Sequence, residues 1–191
     1  MQVFDLKTNL CVSATQRRLA VLVIGMMPLL TPTMTGCSTT KPQSVVSTSR
    51  VSQVVVRKAA RNLSLYKGNQ LVREYRINLG HVPKGHKMQE GDKRTPEGDY
   101  ILDWRNARSR YYKSIHISYP NVHDRTFAQA IGIDPGGMIM IHGRPSSAKT
   151  AGLMKEYDAL DWTDGCIAVS NEAMEQIWRL VPDGTPIRIL P

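Results

Sequence analysis

Cysteine is rare in this chain: among 191 residues, only positions 11, 37 and 166 carry it. Aromatic residues make up just 6% of the sequence, and the lysines and arginines form no clustered run although the formal net charge is +9. A basic balance attracts polyanions in general, including nucleic acid, an anionic membrane surface or an anionic wall polymer. Because no nucleic-acid-binding motif accompanies the charge, we expect no nucleic-acid partner.

A long hydrophobic run is also missing. The apolar stretch at residues 19–30 is too short to span a bilayer comfortably as a helix. Arg17 and Arg18 precede this stretch and small residues follow it, an order that is typical of a secretory signal. We therefore interpret residues 1–36 as a signal peptide and the polar residues 37–50 as a flexible tether. Residues 51–191 then form a single domain.

The signal ends in Met34-Thr35-Gly36-Cys37, which resembles a bacterial lipobox. On this interpretation Cys37 is lipidated and becomes the first residue of the mature chain. The membrane is then a partner through the N-terminal lipid, and the domain lies in the cell envelope, facing the periplasm, with the outer membrane favoured. A plain signal peptide or a single membrane anchor is the alternative interpretation.

Short β-rich segments separated by turn residues dominate the rest of the sequence, which predicts a mainly β domain. Strands are expected at residues 53–57, 62–66, 71–78, 99–103, 114–118, 138–142, 166–169 and 185–189. One clear helix is expected near the C-terminus, with Asn171 as its N-cap. Apolar residues recur there at helical spacing, at Met174, Ile177, Trp178 and Val181.

Cys166 is the residue most suggestive of chemistry. If Cys11 is removed with the signal and Cys37 carries lipid, Cys166 is left unpaired in an exported domain, which is typical of a reactive thiol. A buried, inert core cysteine is the alternative. A thiol needs a base to attack a carbonyl, and His142, at the end of an apolar strand, is the best placed of five histidines. Gly165 permits a tight turn whose N–H groups could face an oxyanion.

A metal site finds little support in the sequence. His116 and His123 could join His142 and Cys166 as zinc ligands, but no closely paired ligand spacing is present. We therefore expect neither a metal nor a cofactor.

Several motifs occur together in the order known from one enzyme family. They are Thr95-Pro96-Glu97-Gly98, Ile141-His142-Gly143, Thr163-Asp164-Gly165-Cys166 and Asn171. This set resembles the signature of the L,D-transpeptidase (YkuD-type) catalytic domain, and residues 54–78 resemble the opening strands of that domain. The resemblance implies a β-sandwich-like fold with the cysteine at the base of a cleft.

The same resemblance implies the roles of individual residues. Cys166 would be the nucleophile and His142 the general base, oriented by the carbonyl of Gly143. The backbone N–H groups of Asp164, Gly165 and Cys166 would form the oxyanion hole. Thr163 would border the site, and we add Arg144, Trp162 and Asn171 as candidate substrate-binding residues. The resemblance also implies acylation of the cysteine by carbapenem-type β-lactams.

Family members transfer acyl groups of peptidoglycan stem peptides to an amine acceptor, so these two are the expected substrates. Two departures from the family pattern bear on this expectation: Ala168 replaces a usual Arg, and Asp164 replaces a frequent His. Since a carboxylate facing the sulfur would raise the thiol pKa, we expect the Asp164 side chain to turn away. The departures leave open a Cys-dependent hydrolase (L,D-carboxypeptidase or amidase) and, from another class, a non-catalytic wall-binding module.

Overall fold

The computed structural model describes residues 50–145 and 160–191. These residues form eight strands and two helices, whose bounds in chain order are β1 Gln53–Arg57, β2 Asn62–Lys67, β3 Gln70–Arg76, β4 Gly98–Ser109, β5 Tyr112–Ile117, α1 Val122–Ala130, β6 Met140–His142, β7 Ile167–Ala168, α2 Asn171–Leu180 and β8 Thr185–Leu190. The mainly β class that the sequence predicts is confirmed.

All eight strands belong to one sheet, in the order β3-β2-β1-β8-β4-β5-β6-β7. Two pairs, β1 with β8 and β6 with β7, are parallel, and the other five are antiparallel. The chain just after β3 returns to the opposite end of the sheet, where Asn78 pairs with Ala168 and Gly80 with Thr163. The sheet therefore curls until its first and last strands are joined through the segment that follows β3.

Alternating apolar residues place the core inside this curl. In the central parallel pair, Val54 lies beside Ile187 and Val56 beside Ile189, and all four side chains are at most 1% exposed. Met174 and Ile177 of α2 are fully buried in the same core. The helical stripe expected from the sequence is thus core packing rather than a binding surface.

The two helices differ from the sequence-based expectation in detail. The N-cap of α2 is Ser170, not Asn171, since the Ser170 hydroxyl accepts a hydrogen bond of 3.1 Å from the N–H of Ala173. Helix α1 was not predicted, because few of its residues are apolar and buried. Its sequence signal is a capping box, in which Asn121 and Asp124 each accept the other's backbone N–H.

The strand bounds also shift where the backbone departs from an extended course. Strand β6 begins at Met140 rather than at residue 138, because Met138 has a left-handed backbone with φ of 56°. Strand β7 shrinks to two residues, whereas β4 extends to Ser109 well beyond the five residues expected.

The predicted signal peptide, most of the tether and lipidated Cys37 lie outside the described residues. No helix in the described ranges is both long enough and apolar enough to cross a membrane.

Candidate active site

Parallel pairing joins β6, which ends at His142, to β7, which begins directly after Cys166. Ile141 lies opposite Ile167, and both side chains are fully buried in the core. Because side chains alternate along a strand, His142 and Cys166 lie on the face opposite these two isoleucines. The sheet thus brings residues 24 apart in sequence to adjacent chain segments.

Two backbone groups of the chain entering β6 contact the Cys166 sulfur. The N–H of Met140 donates to Sγ at 3.4 Å, and Sγ lies 3.7 Å from the carbonyl oxygen of Met138. Burial raises the pKa of the Cys166 thiol, and the Met140 N–H only partly offsets this. The thiol is therefore protonated at neutral pH.

The imidazole of His142 is buried, with 4% of the residue exposed. Its Nδ1 lies 2.6 Å from the carbonyl oxygen of Gly143, which can only accept a hydrogen bond, so Nδ1 carries the proton. The Nε2 atom is left with a lone pair that can take up a proton. Burial lowers the pKa of His142 to about 4, against the opposing effect of the Gly143 carbonyl. The resting pair is therefore a neutral thiol and a neutral imidazole.

Two aromatic rings enclose the imidazole. The ring centroid of Tyr111, from the turn between β4 and β5, lies 4.6 Å from that of His142. The centroid of Trp162 lies 5.6 Å from that of His142 in an edge-on arrangement. Trp162 was a predicted site residue, whereas Tyr111 was not. Nothing in the sequence near Tyr111 signals its role, because the contact depends on how β5 pairs with β6.

Thr163 holds the backbone of the nucleophile. Its hydroxyl donates to the carbonyl of Cys166 at 2.7 Å and accepts from the N–H of Gly165 at 3.2 Å. The Gly165 N–H is thus already engaged. Among the described residues, no acceptor faces the N–H groups of Asp164 and Cys166. These two donors are the ones available to a developing oxyanion.

Close packing explains why glycine occupies two of the motif positions. A Cβ atom on Gly143 would lie 2.6 Å from Oδ1 of Asn171. Gly165 has φ of 129°, and a Cβ there would lie 2.6 Å from the carbonyl oxygen of Arg94. Any side chain at Gly165 would therefore meet both strain and a backbone clash.

The segment containing Thr95 lies under Gly165 and is held by a buried lysine. Lys58 Nζ donates to the carbonyls of Gly85 at 2.6 Å and Thr95 at 2.9 Å, and it pairs with Glu97 at 2.8 Å. Burial lowers the pKa of Lys58 although Glu97 opposes this shift. The sequence analysis missed Lys58, because only the fold reveals that a lysine after β1 is 2% exposed.

Asn171 and Arg144 contact each other rather than converging on the sulfur. Asn171 Oδ1 accepts the backbone N–H of Arg144 at 2.8 Å, which joins the chain leaving β6 to the start of α2. Arg144 lines a cleft of about 320 Å³ together with Tyr75 and Arg76. Asn171 is thus placed as a structural contact, and Arg144 borders a groove on the His142 side.

A second cleft, of about 410 Å³, lies on the Cys166 side. Its lining carries charges of both signs and consists of Lys87, Glu90, Gly91, Lys93, Gly136, Gly137, Ile139 and Asp164. Asp164 is exposed, as expected for a side chain that turns away from the thiol. Its charge nevertheless raises the pKa of Cys166, as a smaller cause than burial. A larger cleft, of about 680 Å³ near Tyr100 and Asp124, contains no predicted site residue.

His116, a candidate zinc ligand, has other partners. It pairs with Asp103 at 2.7 Å and stacks on Trp104, with ring centroids 4.7 Å apart. Within residues 50–145 and 160–191, no group of three His, Cys, Asp or Glu side chains could hold a metal ion.

Comparison with known proteins identifies the family of the chain. The model of the L,D-transpeptidase catalytic domain, YkuD, matches residues 52–189. The chain belongs to this family. The resemblance of the motifs to the YkuD signature is thereby confirmed.

Individual relatives agree with the family assignment. The Escherichia coli (strain K12) protein named "Putative L,D-transpeptidase YafK" is 31% identical over 134 residues, covering 67% of this chain and 46% of YafK. The helical cell shape determining protein Pgp2 from Campylobacter jejuni is 27% identical with a TM-score of 0.55, covering 73% of this chain and 47% of Pgp2. Bd1075 of Bdellovibrio bacteriovorus is 24% identical with a TM-score of 0.53, covering 74% of this chain and 48% of Bd1075, and shows the shared fold. The chain thus spans about half the length of these relatives.

Proposed function

We propose that this YkuD-family protein is a peptidoglycan L,D-transpeptidase that uses Cys166 as its nucleophile. The observation that carries the proposal is the hydrogen bond from His142 Nδ1 to the carbonyl of Gly143, because it fixes the tautomer that leaves Nε2 as a base. Cys166, which lies directly before the neighbouring strand β7 and on the same face, supplies the thiol. Family membership makes the stem peptide of the wall the expected acyl donor.

The neutral resting pair dictates the order of proton transfers. As Sγ forms a bond to the carbonyl carbon of the L-residue, the thiol proton passes to Nε2 of His142. The carbonyl oxygen becomes an oxyanion that the N–H groups of Asp164 and Cys166 can stabilise. The resulting imidazolium then protonates the nitrogen of the departing D-amino acid as the C–N bond breaks, which leaves a thioester on Cys166.

The second half of the reaction returns the enzyme to its starting state. An acceptor amine attacks the thioester carbonyl, and His142 takes a proton from the attacking nitrogen. Collapse of the tetrahedral intermediate breaks the C–S bond, and the imidazolium returns its proton to the sulfur. Tyr111 and Trp162 cover the imidazole and limit its contact with water, which keeps His142 in its basic, neutral form.

A hydrolase is the second candidate, and one residue favours it. Ala168 replaces the Arg usual in the family, and its methyl group is buried and 1% exposed, paired with His142 across β6 and β7. The chain thus offers no cation at this position to hold a second peptide. With water in place of the amine, the same thioester would yield a trimmed peptide.

We further propose that the protein acts at the cell envelope, with Cys37 as a lipid anchor and residues 37–50 as the tether. A role in cell shape is suggested by the likeness to Pgp2, whose name records that role for Pgp2.

Mass spectrometry of muropeptides tests the proposal and separates the two candidates. The protein is incubated with stem-peptide fragments, with and without an added amine such as a D-amino acid. Amide products that incorporate the amine indicate transfer, whereas shortened peptides regardless of amine indicate hydrolysis. Cys166→Ala is the matched control and should yield neither. Wall affinity without any turnover in the unmodified protein would instead identify a binding module.

A further inference from the structure

An ion pair between Arg61 and Asp161 connects a turn far from Cys166 in sequence to the segment that carries the site. Arg61, in the turn between β1 and β2, donates to Asp161 through Nε at 3.0 and 3.1 Å and through Nη2 at 2.6 Å. The pair is a two-pronged contact in which the side chains are only 29% and 15% exposed. Such geometry is stronger and more directional than a single-contact surface pair.

Arg61 adopts an uncommon backbone conformation to make this contact. Its φ is 52°, in the left-handed region that non-glycine residues rarely occupy. Its Nη1 also donates to the carbonyl of Lys58. The guanidinium therefore contacts both Lys58 and Asp161. The strained backbone conformation thus occurs at a residue whose side chain has defined contacts.

Asp161 also links its own segment, by a hydrogen bond, to the chain that follows β3. Its Oδ1 accepts the N–H of Leu79 at 2.9 Å. Two residues on, the N–H of Thr163 donates to the carbonyl of Leu79 at 3.1 Å, and its carbonyl accepts the N–H of His81 at 2.9 Å. The carboxylate thus belongs to the same junction that closes the sheet.

The residues directly after Asp161 are the ones that contact the reactive pair. Trp162 lies against the His142 ring, with centroids 5.6 Å apart. Thr163 donates to the carbonyl of Cys166 at 2.7 Å. A displacement of Asp161 would therefore move both Trp162, which packs on His142, and Thr163, which binds the backbone of Cys166.

We infer that Arg61 and Asp161 are positioning residues for the reaction, whose ion pair keeps Trp162 against His142 and Thr163 under Cys166. The inference rests on the proposed function of Cys166 and His142. It assigns a role in catalysis to a pair that touches neither the sulfur nor the imidazole.

The test compares Asp161→Asn and Arg61→Lys with a matched ion pair elsewhere. Arg188 and Asp99 make a similar two-pronged contact at 2.6 and 3.2 Å on the exposed surface, so Asp99→Asn and Arg188→Lys are the controls. The full chain is treated with a carbapenem-type β-lactam over a range of concentrations and pH. Peptide mapping by mass spectrometry measures the rate at which Cys166 is acylated, and thermal unfolding is recorded for each variant.

We expect both site variants to lower the maximal acylation rate by roughly ten- to a hundredfold, because small misplacements of reacting groups are costly. The concentration for half-maximal rate should change little. The acid limb of the rate should move to higher pH, since a displaced Trp162 exposes the imidazole and its pKa returns from about 4 towards 6.5. Among the described residues, the titratable side chain of Tyr111 contacts that ring and Cys166 lies on the adjacent chain segment, and both are unchanged in these variants. The control variants should match the unmodified protein.

Each result decides one of the two claims. If the unmodified protein is acylated and both folded site variants react at its rate with the same acid limb, the positioning role is wrong. A lowered melting temperature with an unchanged rate in the folded protein at 25 °C overturns it equally, because the pair would then serve stability alone. If the unmodified protein is not acylated at Cys166, the proposed function itself fails.

Discussion

The ring centroid of Tyr111 lies 4.6 Å from that of the His142 imidazole, and the two ring planes are tilted by 34°. This contact joins the turn between β4 and β5 to the end of β6. Trp162 lies on another side of the imidazole, and burial lowers the pKa of His142 to about 4. We therefore expect Tyr111, an aromatic side chain outside the sequence motif, to contribute to the basicity of the proposed base.

Replacing this ring should change the pH dependence of the reaction. In Tyr111→Ala, water should reach the imidazole, so the pKa of His142 rises towards its usual value and the acid limb of Cys166 acylation moves to higher pH. Tyr111→Phe keeps the ring and should retain the profile. Trp104→Ala, which removes the partner of His116, is the matched control. An unaltered profile in Tyr111→Ala would show that the ring is dispensable.

The thiol and its base should be separable by mutation. Cys166→Ala should abolish the mass increase caused by a carbapenem-type β-lactam. His142→Ala should slow acylation on the order of a hundredfold or more, the usual scale of general-base assistance. His116→Ala removes a histidine that pairs with Asp103, and Cys166 in this variant should be acylated at the normal rate. Peptide mapping locates the adduct. If Cys166 reacts only after unfolding, it is an inert core cysteine and the enzyme interpretation is wrong.

The buried imidazole should also weaken the fold in acid. The pKa of His142 is about 4 in the folded protein against 6.5 for a free imidazole, so the unfolded chain binds more protons between these values. The free energy of unfolding should therefore fall as the pH falls from 6.5 towards 4. The loss is roughly 3 kcal/mol at about 1.4 kcal/mol per pKa unit.

Urea unfolding at pH 7 and pH 4 measures this loss. His142→Gln keeps a polar side chain of similar reach but cannot titrate, so its stability should depend less on pH across the window. Equal losses in the variant and the unmodified protein would assign the acid sensitivity to other groups.

Gly165 should tolerate no side chain. Gly165→Ala places a Cβ 2.6 Å from the Arg94 carbonyl and also has to adopt φ of 129°. Gly132→Ala is the matched control, because Gly132 has φ of 71° but nothing within 4 Å of its added Cβ. The control should lose about 1 kcal/mol of stability from backbone strain alone. Gly165→Ala should lose clearly more and be acylated more slowly, and comparable effects of the two substitutions would contradict the packing argument.

The sequence predicted those parts of the fold that depend on local alternation. Strand β2 alternates polar and apolar residues from Asn62 to Leu65, and the structure has it at Asn62–Lys67, close to its expected bounds. The candidate roles of Cys166 and His142 could also be proposed from the sequence, because the ordered motifs resemble a known signature. Helix α1 was missed since only its capping box, and no apolar stripe, indicates it.

The contacts that the sequence could not predict are those between distant segments. Arg61 and Asp161 are 100 residues apart, and neither has a local pattern that indicates an ion pair. Tyr111 reaches His142 only because β5 pairs with β6. The early start expected for β6 was wrong because Met138 is left-handed, which depends on its tertiary surroundings rather than on its apolar character.

The closure of the sheet at Asn78 and Ala168 restricts how a peptide can be recognised. The N–H of Ala168 donates to the carbonyl of Asn78, and the carbonyl of Ala168 accepts the N–H of Asn78, both at 2.9 Å. The strand after Cys166 therefore has neighbours on both sides. A substrate therefore cannot dock there by adding a strand to a free edge, a mode that reads peptides through their main chain. Selection of the donor must instead come from side chains, such as those that line the clefts containing Asp164 and Arg144. Changes in specificity among related chains should accordingly map to the residues that line these clefts, whereas the two-residue strand β7 should keep its conformation.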